Sequence, residues 1–218
     1  MKILVWGGGG HGRVVADVVR ACGAELVGYA DADAGKLGQE AEPGGARVIA
    51  LEADLLAALS SGQPLPGGAD AVALAIGDQA RRLACRHTAG ERVTPPLVHP
   101  SAVVSPSARV GRGTVVMPAA VVNAGAVLGD AVIVNSGATV EHDCTMEDGS
   151  HLSPGAVLSG GVHVEAESWV GAGAVVIPGI RIGRGAMVGA GAVIIRDVPA
   201  GATVVGNPGR ILRLAETD

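Results

Sequence analysis

The hydrophobic positions between residues 98 and 198 follow one strict period. Every sixth residue is aliphatic or methionine, and the residue four positions later is small or β-branched. The first series is Val98, Val104, Val110, Val116, Val122, Leu128, Val134, Val140, Met146, Leu152, Leu158, Val164, Val170, Val176, Ile182, Val188 and Ile194. The second series is Ala102, Ala108, Thr114, Ala120, Ala126, Val132, Ala138, Cys144, Ser150, Ala156, Val162, Ser168, Ala174, Ile180, Ala186, Ala192 and Val198. A six-residue unit is too short for a helix pair, so it predicts a short strand followed by a tight turn.

Three such units form one triangular coil of a parallel β-solenoid, and the series provides between five and six coils. We expect each aliphatic side chain to point inward and to stack on its equivalent one coil away. The small residues fit where the coil turns, and glycines at the corners supply the backbone freedom for the turn. At ~4.8 Å per coil, the prism is roughly 25 Å tall.

The first part of the chain has a different pattern, in which short apolar runs alternate with helical periodicity. It predicts strands over 1–6, 25–33, 47–50 and 70–77, and helices over 13–23, 51–62 and 78–91. Alternating strands and helices are typical of a small parallel α/β sheet. The composition changes near Pro95 and Pro96, which predicts a Rossmann-like domain over 1–96 and a solenoid domain over 97–218.

A glycine loop joins the first strand to the first helix. Gly7, Gly9 and Gly12 match G-x-G-x-x-G, and Asp31 follows about 20 residues later. Such a loop lets backbone N–H groups approach a phosphate at a helix N-terminus, while the acid accepts from a ribose hydroxyl. NAD is the obvious ligand, but the segment is too short for two dinucleotide-binding halves and fits one mononucleotide half better. A glycine turn without a ligand is the structural alternative.

Two further features lie near this loop. His11 stands inside it, where a ligand contact is more plausible than a core position. Gly77 and Asp78 follow the last apolar strand, at the strand end where open α/β sheets bind ligands. Asp78 is also a natural N-cap for the helix that follows, and both roles are compatible.

The chemical outlier of the solenoid is the turn Glu141-His142-Asp143-Cys144, because most neighbouring positions are Gly, Ala or Val. Histidine is the usual side chain for accepting a proton near neutral pH, and an adjacent carboxylate fixes its tautomer. His151 and His163 follow along the chain. His151 could equally be a solvated turn residue, and for His163 that is the favoured interpretation. Cys144 falls on an inward-facing position of the small series and is therefore interpreted as a core residue.

Composition excludes several functional classes. Aromatic residues make up 1% of the chain, the net charge is −5 and basic residues are not clustered, which argues against nucleic-acid binding. Three widely spaced cysteines suggest neither a disulfide framework nor a zinc ribbon, and the histidines lack metal-ligand spacing. We therefore expect no metal. We find no signal-peptide core or membrane-length apolar run, so we expect a cytoplasmic protein without a membrane partner.

The glycine loop, the hexad series and the EHDC turn together resemble the NeuD/PglD-type sugar O/N-acetyltransferases of the hexapeptide-repeat superfamily. The stretches that carry the resemblance include GGGGHGRVVADV, ALAIGDQARR, IVNSGATVEHDC and VVGNPGR. The resemblance implies a left-handed β-helix and a homotrimer with active sites between subunits. It also implies acetyl-CoA as co-substrate and a nucleotide sugar as acceptor, in the biosynthesis of cell-surface polysaccharides.

The resemblance also implies roles for residues of the β-helix. His142 matches the catalytic base, and Asp143 matches the acid that orients it, where relatives often have Glu. Asn135 and His151 match positions that line the donor and sugar site. Gly160 matches a backbone amide that faces the thioester carbonyl. The edge of the coenzyme A site is matched by Gly206, Asn207 and Pro208.

In the first domain, Gly10, His11 and Asp31 match nucleotide-sugar contacts, with Gly77 and Asp78 nearby. Gly9 replaces a small hydroxyl residue that relatives often carry, which removes one phosphate contact. The expected activity is N-acetylation of the 4-amino group of a UDP- or GDP-linked amino-deoxy sugar. The alternatives are O-acetylation of sialic acid or another sugar, a non-catalytic nucleotide-binding scaffold and, least favoured, a nicotinamide oxidoreductase.

Overall fold

The computed structural model describes residues 1–214 of the 218-residue chain. The chain divides into two compact units, Met1–Leu97 and the part from Val98 onward. Among the described residues, no helix is long and apolar enough to cross a membrane.

The N-terminal unit alternates strands and helices. Its strands are β1 (Lys2–Trp6), β2 (Glu25–Asp31), β3 (Val48–Leu51) and β4 (Ala71–Leu74). Its α-helices are α1 (Gly10–Ala21), α2 (Glu52–Ser61) and α3 (Gln79–Ala89), and short 3-10 turns cover Ala34–Lys36, Pro66–Gly68 and Gly90–Arg92. The sheet is wholly parallel in the order β3-β2-β1-β4. This is the predicted α/β sheet, with the strand order of a single mononucleotide-binding half.

Helix α1 begins earlier than the hydrophobic period predicts. Gly9 is its N-cap residue, so His11 and Gly12 lie inside the first turn. A Cβ on Gly12 would lie 1.9 Å from the carbonyl oxygen of Gly7, so only glycine lets the helix approach the end of β1 this closely. The loop is therefore tighter than the motif alone indicates.

The second unit is built of short strands joined by turns, and nearly all of the strands are two residues long. They are β5 (Leu97–Val98), β6 (Val103–Val104), β7 (Arg109–Val110), β8 (Val115–Val116), β9 (Val121–Val122), β10 (Val127–Leu128), β11 (Ile133–Val134), β12 (Thr139–Val140), β13 (Thr145–Met146), β14 (His151–Leu152), β15 (Val157–Leu158), β16 (His163–Val164), β17 (Trp169–Val170), β18 (Val175–Val176), β19 (Arg181–Ile182), β20 (Met187–Val188), β21 (Val193–Ile194), β22 (Thr203–Val205) and β23 (Arg210–Arg213).

These strands stack into three sheets that form the faces of a β-helix. We name the faces A, B and C by their strand orders: β23-β22-β20-β17-β14-β11-β8-β5 for face A, β21-β18-β15-β12-β9-β6 for face B, and β19-β16-β13-β10-β7 for face C. The register advances by one coil, so Val134 pairs with Val116 on one side and Leu152 on the other. From Val116 onward the aliphatic series is almost fully buried, as predicted.

A left-handed backbone conformation recurs at every sixth residue along the β-helix, once at each corner. Glycine occupies most of these positions, for example Gly137, Gly155 and Gly161, each with a φ near +65°. Four positions carry a side chain instead, namely Ala119, Ala131, Asp143 and Glu167. A non-glycine residue in this conformation costs of order 1–3 kcal/mol, although Asp is among the better tolerated. Two of the four, Asp143 and Glu167, carry a carboxylate, and the carboxylate of Asp143 contacts the imidazole of His142.

Candidate functional site

His142 and Asp143 form the most exposed ionisable pair of the β-helix. His142 Nδ1 lies 2.9 Å from Asp143 Oδ2, and the imidazole side chain is 64% exposed. A carboxylate only accepts, so Nδ1 carries the proton and Nε2 presents its lone pair. The hydrogen bond to Asp143 raises the pKa of His142 above its ordinary value, with smaller contributions from the charges of Asp143 and Glu141. This is the arrangement of a general base held by a carboxylate.

Gly160 lies directly beneath this imidazole, one coil further along. A Cβ on Gly160 would lie 2.5 Å from His142 Nε2, so the ring position requires glycine here. The next amide, Gly161 N–H, donates to the His142 carbonyl at 2.9 Å. Within residues 1–214, the N–H of Gly160 has no hydrogen-bond partner. A backbone donor is thus left available beside Nε2.

Asn135 and His151 form a second pair, at 3.2 Å between Asn135 Nδ2 and His151 Nε2. The Ser136 N–H donates to Asn135 Oδ1, which fixes the amide orientation and makes Nε2 of His151 the acceptor. The His151 ring stacks on Trp169 with 6.1 Å between centroids and 18° between planes. The Trp169 indole N–H in turn donates to Ser153 at 2.5 Å.

This second pair borders an apolar groove on face A. The groove has a volume of about 370 Å³ and is lined by Trp169, Met187 and the glycines and alanines of the corner between faces A and B in two successive coils. His142 lies at the corner between faces B and C, whereas Asn135 lies at the corner between faces A and B. The six residues between them, 136–141, include the strand β12, so the two pairs lie at opposite ends of face B.

In the N-terminal unit, Asp31 closes the end of β2. Its carboxylate accepts from Gly8 N–H at 2.7 Å, Asp33 N–H at 2.9 Å and Lys36 Nζ at 3.0 Å. Burial alone would raise the pKa of Asp31, but these hydrogen bonds outweigh it and lower the pKa. Asp31 is therefore an ionised acceptor beside the glycine loop.

The other predicted residues of this unit lie along the same edge of the sheet. Gly10 and His11 begin α1, and Asp78 caps α3 by accepting from Arg81 N–H at 2.7 Å. Burial, and then the charge of Arg82, lowers the pKa of His11 to about 4, so its imidazole is neutral at physiological pH. Its Nε2 is buried, and no partner for it exists within the described part of the chain.

A cavity of about 260 Å³ opens at this edge, which we call the edge cavity. Its lining includes Trp6, Gly7, Asp31, Gly77 and Asp78. The edge cavity lies at the carboxyl ends of β1, β2 and β4, where open α/β sheets bind ligands. The structure thus brings Asp31, Gly77 and Asp78 together around one space.

The remaining predicted residues are placed as follows. Gly206, Asn207 and Pro208 form the turn between β22 and β23, and the Asn207–Pro208 peptide bond is cis. His163 is held by Glu147 at 2.6 Å. Cys144 is fully buried, and burial raises the pKa of its thiol, as expected for a core residue. Within residues 1–214, no group of His, Cys, Asp and Glu side chains could hold a metal ion.

Comparisons with known proteins agree with this geometry. The family model of the PglD N-terminal domain matches residues 2–88, and that of the bacterial transferase hexapeptide (six repeats) matches residues 161–196. No curated protein matches the chain significantly. Several solved structures match it over almost its whole length.

One is PerB from Caulobacter crescentus, in complex with CoA and GDP-perosamine, with 37% identity, 97% coverage of both chains and a TM-score of 0.84. Another is the acetyltransferase domain of PglB from Neisseria gonorrhoeae, with 40% identity, 97% of this chain and 99% of that chain covered, and a TM-score of 0.86. WeeI from Acinetobacter baumannii has 29% identity and a TM-score of 0.81, with 97% of this chain and 100% of that chain covered. This chain belongs to the NeuD/PglD-type family of sugar acetyltransferases. Its fold is an N-terminal α/β domain followed in sequence by a left-handed β-helix of hexapeptide repeats. The chain is an acetyltransferase.

Two features of this acetyltransferase escaped the sequence analysis. Arg82 is fully buried and donates to the carbonyls of Ile76 and Gly77, at 2.9 and 3.0 Å, which fixes the loop after β4. Arg81, beside it, donates to both carboxylate oxygens of Glu52. From sequence alone, two adjacent arginines in a helix are interpreted as exposed charges. Only the contacts in the structure show that Arg82 is buried against loop carbonyls and that Arg81 pairs with Glu52.

Proposed function

We propose that this chain transfers the acetyl group of acetyl-CoA to the 4-amino group of an amino-deoxy sugar linked to a nucleoside diphosphate. The observation that carries the proposal is the His142–Asp143 pair above Gly160 in a chain whose relatives include a perosamine N-acetyltransferase solved with CoA and GDP-perosamine. We infer that the β-helix holds acetyl-CoA along the groove of His151 and the turn Gly206–Pro208. The α/β unit holds the nucleotide.

The reaction needs one base and one oxyanion donor. The sugar amine attacks the thioester carbonyl while His142 Nε2 accepts the amine proton, and a C–N bond forms. The tetrahedral oxyanion accepts a hydrogen bond from the unpartnered N–H of Gly160. The C–S bond then breaks, and the imidazolium returns the proton to the leaving thiolate, which gives free CoA and the acetamido sugar.

The α/β unit supplies the nucleotide site. Helix α1 has a glycine N-cap and, among the described residues, no acidic side chain in its first turn, so its N–H groups favour a diphosphate. Asp31, ionised at the end of β2, accepts from a ribose hydroxyl. His11 stays neutral and contributes a hydrogen-bonding nitrogen rather than a charge.

One chain does not bring all these groups together. His142 with Gly160 and Asn135 with His151 lie at different corners of the prism, at the two ends of face B. A homotrimer around an axis parallel to the prism would place the His142 corner of one chain against face A of the next. We therefore propose a trimer in which each active site uses residues of two chains.

The cysteines are consistent with a cytoplasmic enzyme. Among the described residues, Cys22, Cys85 and Cys144 form no disulfide. Reduced thiols are typical of a compartment in which glutathione and thioredoxin act. We therefore propose that the reaction takes place in the cytoplasm.

The test is an acetyl-transfer assay that follows the release of the CoA thiol. The acceptors are UDP- and GDP-linked 4-amino-6-deoxy sugars, compared with free sialic acid at the same concentration. We expect turnover with one nucleotide-linked amine and a product that has gained one acetyl group by mass spectrometry. Turnover with sialic acid alone would contradict N-acetylation, and no binding of acetyl-CoA would contradict the enzyme assignment.

A further inference from the structure

A buried thiol is hydrogen-bonded to the corner that carries the candidate oxyanion donor. Cys144 follows His142 and Asp143 in the same turn and is fully buried. Its Sγ lies 3.1 Å from the carbonyl oxygen of Ser159, which belongs to the next coil. Burial raises the pKa of the thiol, so it stays protonated at neutral pH and donates this hydrogen bond. The proposed chemistry assigns no task to this bond.

The carbonyl that Cys144 holds belongs to the peptide unit that joins Ser159 to Gly160. This unit is trans, because Asn207–Pro208 is the only cis peptide bond within residues 1–214. In a planar trans peptide the C=O and the N–H point in opposite directions. Since the Ser159 carbonyl is turned toward the buried thiol, the Gly160 N–H is turned away from the core. This N–H is the unpartnered donor beside His142 Nε2.

The bond from Cys144 determines how firmly this peptide unit is held. The following unit is bonded at both ends, because the Gly160 carbonyl accepts from Gly179 N–H at 3.0 Å and Gly161 N–H donates to His142 at 2.9 Å. Within the described residues, the Ser159–Gly160 unit has a single hydrogen bond, the one from Cys144. A backbone donor stabilises an oxyanion best when its direction is fixed before the reaction.

Bonds of the same kind occur at another corner, with hydroxyl donors. Thr114 donates to the Gly129 carbonyl and Ser168 to the Gly183 carbonyl, both at 2.7 Å and both 15 residues ahead, like Cys144 and Ser159. These two bonds lie at the corner between faces C and A. The positions equivalent to Cys144 at the corner between faces B and C are Ala108, Ala126, Val162, Ile180 and Val198. None of these five side chains is a donor, so this corner has its side-chain donor only in the coil of His142.

We propose that Cys144 is a positioning residue for acetyl transfer: its thiol holds the Ser159–Gly160 peptide so that the Gly160 N–H points to the oxyanion. The inference rests on the proposed function, since it concerns the oxyanion donor of that reaction. Because its side chain is fully buried, Cys144 acts through the peptide and not by contact with the acetyl group.

The test compares variants of Cys144 in the acetyl-transfer assay. Cys144→Val removes the donor and fits the corner, since Val162 stands at the equivalent position one coil on. We expect kcat to fall by about tenfold or more, part of the roughly 10²–10³-fold that loss of a whole oxyanion donor costs. The KM for acetyl-CoA should change less than about twofold, because the donor acts mainly in the transition state.

Two further variants separate the hydrogen bond from packing. Cys144→Ala also removes the donor but adds no volume, and it should lower kcat by a similar factor. Cys144→Ser keeps a donor, as Thr114 and Ser168 do at the other corner, and should retain at least about half of kcat. In all three variants the acidic limb of the kcat/KM–pH profile should stay at its wild-type position, because the His142–Asp143 pair is unchanged.

Thr114→Val is the matched control. It removes a bond of the same kind at the other corner, and Val132 stands at the equivalent position one coil on. We expect a lower melting temperature but a kcat within about twofold of wild type, because the Gly129 carbonyl belongs to a peptide unit remote from His142. Thermal melts of every variant confirm that it is folded. If Cys144→Val does not fold, Cys144→Ala and Cys144→Ser decide the question by themselves.

The outcomes distinguish this inference from the proposed function. With an active wild type, three results overturn the role of Cys144 and leave the acetyltransferase proposal intact. They are an unchanged kcat in Cys144→Ala, an equal loss of kcat in Cys144→Ser, and an equal loss in folded Thr114→Val. A folded wild type that acetylates no nucleotide-linked amine overturns the proposed function and this inference together.

Discussion

At the scale of single residues, the corner conformation of Asp143 determines the chemistry of His142. A left-handed φ of +59° brings a carboxylate next to the imidazole that precedes it, although the same corner elsewhere carries glycine. The strain of this conformation is compensated by the hydrogen bond that fixes the tautomer of the base. Asn also tolerates this conformation, so the substitution Asp143→Asn removes the negative charge without changing the backbone.

We predict that Asp143→Asn shifts the acidic limb of the pH profile. The Asp143 interaction raises the pKa of His142, and a base acts only when unprotonated, so kcat/KM rises with pH through that raised pKa. Without the carboxylate the pKa falls, so the limb moves to lower pH, while the plateau drops about tenfold or more because the base is weaker and less oriented. An unchanged limb in a kcat/KM–pH series would contradict this coupling.

Gly160 provides a second prediction at this scale. The added methyl group of Gly160→Ala would meet Nε2 of His142, so the ring must turn away from Gly160. Equivalent corners one coil below and above His142 and Gly160 carry Ala124 and Pro178, so the backbone accepts a Cβ. We expect kcat to fall by about tenfold or more, with stability changed by less than about 1 kcal/mol. Steady-state kinetics measure the change in kcat, and a thermal melt measures the change in stability. An unchanged kcat would mean that His142 is not the base.

At the scale of elements, α3 places two adjacent arginines in different surroundings. Arg82 points into the unit and holds the loop after β4, whereas Arg81 lines the edge cavity. Burial lowers the pKa of Arg82 to about 10, so the side chain is still charged at neutral pH. The loop carbonyls of Ile76 and Gly77 are its hydrogen-bond acceptors.

We predict that Arg82→Met destabilises the protein by about 2–4 kcal/mol, because two backbone carbonyls lose a charged donor. Nucleotide affinity should fall as well, since Gly77 and Asp78 follow the same loop. Arg20→Met is the matched control, and its exposed ion pairs should contribute less than about 1 kcal/mol. Urea unfolding of both variants makes the comparison, and equal midpoints would show that Arg82 is not structural.

At the scale of the whole molecule, the β-helix separates two groups of residues that the proposed reaction combines. Face B lies between the His142 corner and the Asn135 corner, so a single prism leaves the two pairs apart. A three-sided prism offers one face to each neighbour in a closed trimer. The active site is then a property of the assembly.

Mixed trimers test this arrangement. We expect His142→Ala and His151→Ala to be nearly inactive alone, because each lacks one half of every site. Co-expressed in equal amounts, they should recover activity in about a quarter of the sites, since random assembly places both intact halves together that often. Light scattering should give a mass three times that of the 21.4 kDa chain. No recovery from well-mixed trimers would mean that each site belongs to one chain.

The period of six determines the β-helix because every hexad repeats the same local choice: an aliphatic side chain inward, a small one at the turn and a corner open to left-handed φ. Such choices need no knowledge of distant residues, so the strands from β5 to β21 follow from sequence alone. The alternation of strands and helices, the glycine loop and the unusual EHDC turn are equally local. The bounds of α1 were less certain, since the closeness of Gly12 to Gly7 is a tertiary contact.

Tertiary structure alone decided what Arg81 and Arg82 do. Trp6, Glu52 and Arg81 are separated by 46 and 29 positions along the chain, and no pattern of spacing brings them to one cavity. Arg81 and Arg82 are adjacent and chemically identical. Only the direction of each side chain from α3 makes Arg82 a buried donor to loop carbonyls and Arg81 part of the wall of the edge cavity. The sequence determined the elements because they depend on neighbours within a few residues. The site depends on where separate elements end, and that is decided when the sheet and the coils pack.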